Sequence, residues 1–418
     1  MDFYKTTNKC IRYNLQKLSK LVFEVTDKCN LNCKYCIYST LYRENDTREG
    51  KNISFTRAKV IIDYLYDLWK NDYSDGSGSE FVIGFYGGEP LMNVQFIKQV
   101  IDYVESLDMG KTGRICSYSM TTNAMLLDKY MDYLVEKNFN LLVSLDGDEF
   151  AQSYREDHSG KNSFERVFRN IKLLEEKHPE YFKNNTGINA VLHSRNEVES
   201  IYQFIYTRSG KIPMISPLNR AGVCAEKKDE FIKLYRNPVE SFYHSSICEI
   251  IESEMFMSTP RVAGLADYIL NQSGNNFQTC NDLYVNKDNI PLSTGTCLPF
   301  AKKLFVTVNG KILPCERISH QFSLGQVHED RVELNEEYVA EKHNYYVSRF
   351  VEQCVNCASN RFCMQCVYQT DDICKEDTHC PNFLSNEDLT KRNEGIFKFF
   401  EEHPQYYRRI LENVKITV

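Results

Sequence analysis

The chain of 418 residues contains no run of about 18 apolar residues, so nothing in it reads as a membrane-spanning helix. It has no excess of positive charge: 50 Lys and Arg stand against 57 Asp and Glu, a net −7, which argues against a nucleic-acid partner. The opening MDFYKTTNKCIRYN lacks the basic-then-apolar pattern of an export signal, so a cytoplasmic location is expected. Cysteine is too sparse for a disulfide scaffold: 16 residues are about 4%, against roughly 8–10% in such scaffolds. No internal repeat or low-complexity linker is found. What is present is ordinary globular composition, 42% apolar and 26% charged. The length suits two or three domains and buries a full core without covalent staples.

The placing of the cysteines is informative. Cys29, Cys33 and Cys36 sit within one short stretch, and a second group runs from Cys297 to Cys380. Between them lie only Cys116, Cys224, Cys248 and Cys280, which with Cys10 read as small packing residues, Cys280 excepted. Without an export signal, clustered cysteines read first as metal or redox ligands. Two dense groups imply two pieces of chemistry.

From Leu21 to Leu218, short apolar runs alternate with helical stretches. Strands are expected at 21–25, 81–86, 114–120, 141–145, 187–193 and 211–218. Helices are expected at 55–69, with Ser54 as its cap, and at 94–105, 127–136, 164–176 and 198–206. Six such units imply parallel strands with right-handed crossovers, an α/β partial (β/α)6 barrel. Its active site would lie at the C-terminal strand ends. There the first strand runs into the cysteine triplet and the second into Gly87-Gly88-Glu89-Pro90. Thr121-Thr122-Asn123 follows the third, and Ser144-Leu145-Asp146-Gly147 the fourth. Each loop alone reads as a turn, Asp-Gly included. Their coincidence on one rim reads as a site.

C-x3-C-x2-C offers three thiolates to one centre. On zinc they would leave one open position. On a [4Fe–4S] cluster, which takes four cysteines, they would leave one iron open to a small molecule's amine and carboxylate. No histidine lies near enough in sequence to complete a zinc site, His158 being the nearest downstream. TDKCNLNCKYC (Thr26–Cys36) resembles the signature of radical S-adenosylmethionine (SAM) enzymes, whose core is a six-strand partial barrel. The resemblance implies that Cys29, Cys33 and Cys36 hold a cluster that passes an electron to bound S-adenosylmethionine. Cleavage would then give methionine and a 5′-deoxyadenosyl radical that takes hydrogen from substrate. It further implies that Gly87, Gly88 and Glu89 receive the methionine ammonium and that Tyr35 borders the adenine. Ser144 and Arg155 would bind ribose and methionine carboxylate, with Asn123 and Val191 lining the same pocket. Arg155 reads equally as a solvated surface residue.

In the second group, KLFVTV-Asn309-Gly310-KIL between Cys297 and Cys315 predicts a hairpin with a two-residue turn. Cys354-x2-Cys357-x5-Cys363-x2-Cys366 follows, with Cys374 and Cys380 beyond. Paired C-x2-C units read first as structural zinc. The combined spacing resembles the SPASM domain, which follows radical SAM cores and holds two auxiliary [4Fe–4S] clusters. That resemblance implies one cluster on Cys354, Cys357, Cys363 and Cys380 and another on Cys297, Cys315 and Cys366. The last pair has two intervening residues where the family has three, which makes Cys374 a rival ligand. The family's further upstream cysteine is missing: either Cys280 replaces it or an iron stays open for a substrate thiolate.

The expected division is an N-terminal extension (1–18), a radical SAM core (19–224), a bridge (225–290), a SPASM domain (291–385) and a C-terminal helix (386–418). The bridge should open with one helix, Asp229–Phe256, and the terminal aromatics should be core. SPASM enzymes modify peptides, so the resemblance implies a peptide or protein substrate and a flavodoxin- or ferredoxin-type electron donor. FYGGEPLMN looks like the maturases that install thioether or carbon–carbon crosslinks in ribosomally made peptides. Only residues 1–20 precede the first strand, so any leader recognition is expected from a separate protein or another surface. A rival is the anaerobic sulfatase maturase, forming formylglycine with an acidic base after a SPASM cysteine, a position that Glu316 matches, though Glu316 reads equally as a surface charge at the hairpin end. A zinc-bearing interaction protein is the non-enzyme alternative. Oxygen-sensitive clusters would imply an anaerobic setting.

Overall fold

The computed structural model describes residues 5–42, 46–71, 79–269, 294, 296–360, 363, 365–370, 373–375 and 378–413. The chain divides into two compact units, one of Thr6–Arg236 with Cys297–Lys342, the other of Met1–Lys5, Asn237–Thr296 and His343–Val418.

The larger unit is built on one sheet. Strands β1 (Lys20–Thr26), β2 (Ser79–Gly87), β3 (Arg114–Thr122), β4 (Asn140–Ser144), β5 (Thr186–Leu192) and β6 (Met214–Pro217) lie side by side in that order, all parallel. Helices 55–71, 94–106, 127–136, 164–177 and 198–209 make the crossovers, giving the expected six-unit α/β architecture. Helix Phe55–Asn71 buries Ala58, Ile61, Ile62, Leu65 and Trp69, an i, i+3, i+4, i+7 stripe. Ser54 Oγ accepts the Arg57 amide at 3.1 Å, the anticipated cap. The first strand is buried along nearly its whole length, and apart from Glu24 its Leu21–Val25 stretch is apolar. Phe23 meets Phe96 of the helix layer edge-on at 5.8 Å, so Glu24 points to the opposite, inner face.

The sheet continues past β1. Strand β7 (Leu304–Val306) pairs parallel with β1, Leu21 opposite Leu304, and β8 (Lys311–Leu313), β9 (Gly325–Val327) and β10 (Val332–Glu333) extend it antiparallel. Residues 297–342, grouped by cysteine spacing with 291–385, therefore share the barrel's sheet. The hairpin turn differs from expectation. The Gly310 amide donates to Thr307 O at 2.8 Å and the Thr307 amide to Lys311 O at 3.0 Å, a three-residue loop with Gly310 left-handed at φ 84°. A Cβ on Gly310 would lie 2.3 Å from Val327 O.

In the smaller unit the predicted helix 229–256 is broken. Helices Pro238–Tyr243 and Cys248–Glu254 replace its later part, Asn237 capping the first by accepting the Val239 amide at 2.9 Å. Pro238 cannot donate in a helix interior and starts a new one instead. Pro404 likewise divides the C-terminal segment into Asn386–Glu402 and Gln405–Asn413. The aromatics there are core: Phe399, Phe400 and Tyr406 pack on Phe256, Val262, Leu265 and Ile410.

His343 is 4% exposed, and its Nδ1 has no hydrogen-bond partner among the described residues. Burial lowers its pKa from 6.5 to about 4. A depressed basic group stabilises the fold above its unfolded pKa, and that stability is lost as pH falls towards the folded value. On passing from pH 7 to pH 5, His343→Leu should lose about 2 kcal/mol less stability than the parent, read by denaturant unfolding at both pH values.

Candidate functional site

The loop leaving β1 carries Cys29, Cys33 and Cys36 and is held on both sides. On one side the Gly88 amide donates to Thr26 O at 2.8 Å and the Glu89 amide to Lys28 O at 2.9 Å. A Cβ on Gly87 would lie 2.4 Å from Thr26 O, and one on Gly88 2.0 Å from Lys28 O, so only glycine permits this approach. On the other side Asn32 donates to Glu156 O at 2.7 Å and Lys34 to Tyr154 O at 3.0 Å. The Leu31 amide (3.4 Å) and Asn123 Nδ2 (3.7 Å) point at Cys29 Sγ.

The three sulfurs lie within electrostatic reach of one another. Burial pushes the Cys29 thiol up to about 11 and the Cys33 thiol to about 12, with neighbouring cysteines adding to the rise and Arg155 opposing it at Cys33. Such thiols stay neutral alone, and a cationic centre makes them thiolates. Among the described residues no trio of Cys, His, Asp or Glu converges on a point that one metal ion could fill. Three soft donors on one pinned loop match a cluster that takes its thiolates at separate corners.

Glu89 is fully buried. Its carboxylate accepts Thr122 Oγ1 at 2.7 Å, the Asn123 amide at 2.7 Å and the Leu91 amide at 3.1 Å. Burial, outweighing those donors, pushes it up to about 7. Glu89 thus ties the GGE loop to the end of β3. The turn it holds places Ala124 left-handed at φ 59°, and Asn170 Nδ2 secures the Ala124 carbonyl at 2.8 Å. Asn123 Nδ2 also reaches Asn30 Oδ1 at 2.7 Å.

A second knot forms around Asp146, which is 0% exposed. Its carboxylate accepts Arg155 Nε at 2.9 Å and Nη2 at 3.1 Å, the Val191 amide at 2.9 Å and the Tyr35 hydroxyl, with His193 Nε2 at 3.4 Å. Burial works against its charge, but the Arg155 guanidinium and His193 hold the carboxyl well below the usual range. Tyr35 stacks on His193 at 5.4 Å, and Arg155 lies 5.4 Å over the Tyr35 ring. Ser144 ends β4 nearby in sequence, with Asn189 as its register partner, and Val191 packs with Tyr35 and Leu41. Arg155, readable as a surface residue, is 7% exposed. In sequence Asp146 stands out only as part of the rim loop Ser144–Gly147, because Asp-Gly by itself signals a turn. Its position just past a strand, nine residues before Arg155, was the available clue.

On the inner face Glu24 stands opposite Tyr86 in register and accepts the Val308 amide at 2.9 Å. Burial pushes Glu24 up to about 7. Arg48 sits 4.3 Å over the Tyr38 ring, and the buried Tyr38 hydroxyl has no hydrogen-bond partner among the described residues. These four polar residues were also unforeseen. Glu316 is bound by Lys303 Nζ at 2.9 Å to each oxygen and lies 3.7 Å from Cys315 Sγ. Burial opposes ionisation there, but the Lys303 charge holds the carboxyl below its ordinary value.

In the smaller unit, Cys354 feels the charges of Cys363, Cys380 and Cys357, so one neighbourhood gathers the four sulfurs grouped from spacing. The Leu384 amide points at Cys357 Sγ and the Gln365 amide at Cys363 Sγ, both at 3.4 Å, and the Cys380 amide donates to Gln353 Oε1 at 2.8 Å. Cys366 caps a short helical turn and Cys374 is exposed. Cys297, exposed, and Cys315, pushed up by burial to about 11, belong to the larger unit. Cys280 lies outside the described residues.

Residues 23–205 match the radical SAM superfamily model. The chain is 30% identical over 182 residues to the radical SAM cyclopropyl synthase TigE of Paramaledivibacter caminithermalis, covering 42% of this chain and 36% of that one. It is 29% identical over 212 residues to a cysteine-type anaerobic sulfatase-maturating enzyme of Clostridium novyi, covering 49% and 53%. With the Clostridium perfringens enzyme of that type it shares 23% over 368 residues, 83% of this chain and 87% of the other. The first two matches thus span only about a third to a half of those relatives' lengths. The structure of native anSMEcpe with bound AdoMet superposes with a TM-score of 0.62 at 18% identity, covering 94% of this chain and 100% of that one, a likeness of fold. Among the described residues no helix is long and apolar enough to cross a membrane.

Proposed function

We propose that this chain, which belongs to the radical SAM superfamily through residues 23–205, is an enzyme that cleaves S-adenosylmethionine reductively and modifies a peptide or protein. The observation that carries the reading is the pinned loop of Cys29, Cys33 and Cys36 between the Gly87-Gly88-Glu89 turn and the Asp146 knot. Cys29, Cys33 and Cys36 would hold the cluster. The chemistry supplied by the bound cluster and S-adenosylmethionine is one-electron cleavage, giving a radical that abstracts hydrogen. The chain's own part is to hold and orient. Asn123 and the Leu31 amide direct donors at Cys29 Sγ, which stabilises sulfur as thiolate. Arg155 offers a buried cation for the methionine carboxylate, the Gly87-Gly88 turn, which Glu89 secures through Thr122 and Asn123, would receive the ammonium, and Tyr35, Ser144 and Val191 would border the nucleoside.

The four cysteines gathered around Cys354 support an auxiliary [4Fe–4S] cluster in the smaller unit. A second is proposed with Cys297 and Cys315 among its ligands. Glu316, kept anionic by Lys303, is the candidate acceptor of a substrate proton. Cys354→Ala should lower iron by about four per chain, leaving 5′-deoxyadenosine formation in place; iron analysis of reconstituted protein reads the first and chromatography the second.

For the product we favour a thioether or carbon–carbon crosslink in a ribosomally made peptide, drawn from the GGEP phrasing and the paired cysteine groups. Formylglycine formation is the second reading, favoured by the long match to sulfatase-maturating enzymes. A flavodoxin- or ferredoxin-type donor and a separate leader-binding protein complete the proposal. The test is anaerobic: reconstituted protein with dithionite should release 5′-deoxyadenosine, and its absence would refute the assignment. Mass spectrometry of incubated peptides separates the products, since a crosslink removes two hydrogens while formylglycine from cysteine also loses the sulfur.

A further inference from the structure

Asp146 stands apart from the other groups at the strand ends because five donor atoms on four residues, drawn from three separate segments, converge on it. Arg155 comes from the turn before helix 164–177, Tyr35 from the cysteine loop, and Val191 and His193 from β5 and just beyond it. Its main chain is fixed as well: the Asp146 amide donates to Gln152 Oε1 at 2.8 Å, and Asn196 Nδ2 donates to the Asp146 carbonyl at 2.9 Å. His193 is held in place too: its Nδ1 accepts the Arg195 amide at 3.2 Å, and its Nε2 lies 3.4 Å from both Asp146 Oδ2 and Asn196 Nδ2.

The geometry of Arg155 is one-sided. Nε and Nη2 are committed to the carboxylate in a fork, and no hydrogen bond within the described residues uses Nη1. The guanidinium charge is felt at Cys33. Tyr35, held by its hydroxyl, immediately precedes Cys36 in the same loop. A planar cation gripped along one edge is presented to a ligand along the other, with little rotational freedom left to lose on binding.

We propose that Asp146 is a positioning residue that orients Arg155 towards a ligand carboxylate beside Cys33 and, through Tyr35, fixes the cysteine loop against the same point. The inference rests on the reading that S-adenosylmethionine is the ligand. Asp146 touches no ligand itself. It determines where the carboxylate is met.

The test compares two ligands on the reconstituted full chain under anaerobic conditions, with equilibrium binding as the readout. S-adenosylmethionine carries the carboxylate, and decarboxylated S-adenosylmethionine keeps the sulfonium and nucleoside but lacks it. Asp146→Asn should weaken S-adenosylmethionine about tenfold or more while shifting the decarboxylated ligand by less than about twofold. Arg155→Ala should show the same ligand-selective loss, and the double variant should be no worse than either single one. Should the Asn variant fail to fold, Asp146→Glu keeps the charge while displacing the fork, and the same selective loss is expected. Equal losses of both ligands, or undiminished binding of S-adenosylmethionine, would overturn the proposal. Parent protein that bound neither ligand would instead bring down the functional reading beneath it.

Discussion

Replacing Cys33 by alanine should reduce 5′-deoxyadenosine release to background, a fall of at least about a thousandfold, or roughly 4 kcal/mol in the barrier. The thiol is the central one of the triplet, and its sulfur sits in electrostatic reach of both Cys29 and Cys36 and of Arg155. Two sulfurs cannot hold what three hold with one corner already open. Total iron should drop from about twelve to about eight per chain, because the cysteines of the smaller unit are untouched. Iron analysis alongside product chromatography therefore separates a lost site from a misfolded protein. Cleavage that survived the substitution would remove the basis for assigning the triplet.

The barrel was legible because its signals are local. Strands such as Leu21–Val25 are apolar but for Glu24, since both faces of a parallel sheet are covered, and each expected strand lies within a few residues of its observed bounds. What lay beyond local reading depends on partners distant in sequence. Nothing around Leu304 announces that it will pair with Leu21, yet that parallel pairing makes the hairpin part of the barrel's sheet. The two proline-broken helices are a different failure: apolar periodicity spans Pro238, but the missing amide overrides it.

The candidate site divides in the same way. Cysteines at fixed spacing announce their chemistry, as do paired glycines before a glutamate. Asp146 and Glu24 do not, because a lone acid in a strand or turn acquires meaning only from what converges on it. Glu89 shows the intermediate case. Its motif marks it as functional, but only the fold reveals that its carboxylate is occupied in tying β3 to the cysteine loop's support.

That support leads to the second large effect. Gly88→Ala should destabilise the chain by about 3–5 kcal/mol and strip iron from the triplet, read by unfolding midpoint and iron content. A Cβ at this position would lie 2.0 Å from the Lys28 oxygen and 2.5 Å from its carbonyl carbon. Both are backbone atoms, which cannot rotate aside as a flexible side chain would. Relief requires parting the two strand ends, which breaks the Gly88 amide bond to Thr26 O and the Glu89 amide bond to Lys28 O. Two buried hydrogen bonds at roughly 1–3 kcal/mol each account for the expected loss. Cys29 is the next residue after Lys28, so the displacement passes directly into the first sulfur. Gly395→Ala is the matched control: it lies within helix Asn386–Glu402 with nothing near its would-be Cβ, and should stabilise by up to about 1 kcal/mol through helix propensity alone. A Gly88→Ala protein as stable and as rich in iron as the control would mean that the close approach of these two loops is not what holds the cysteines in place.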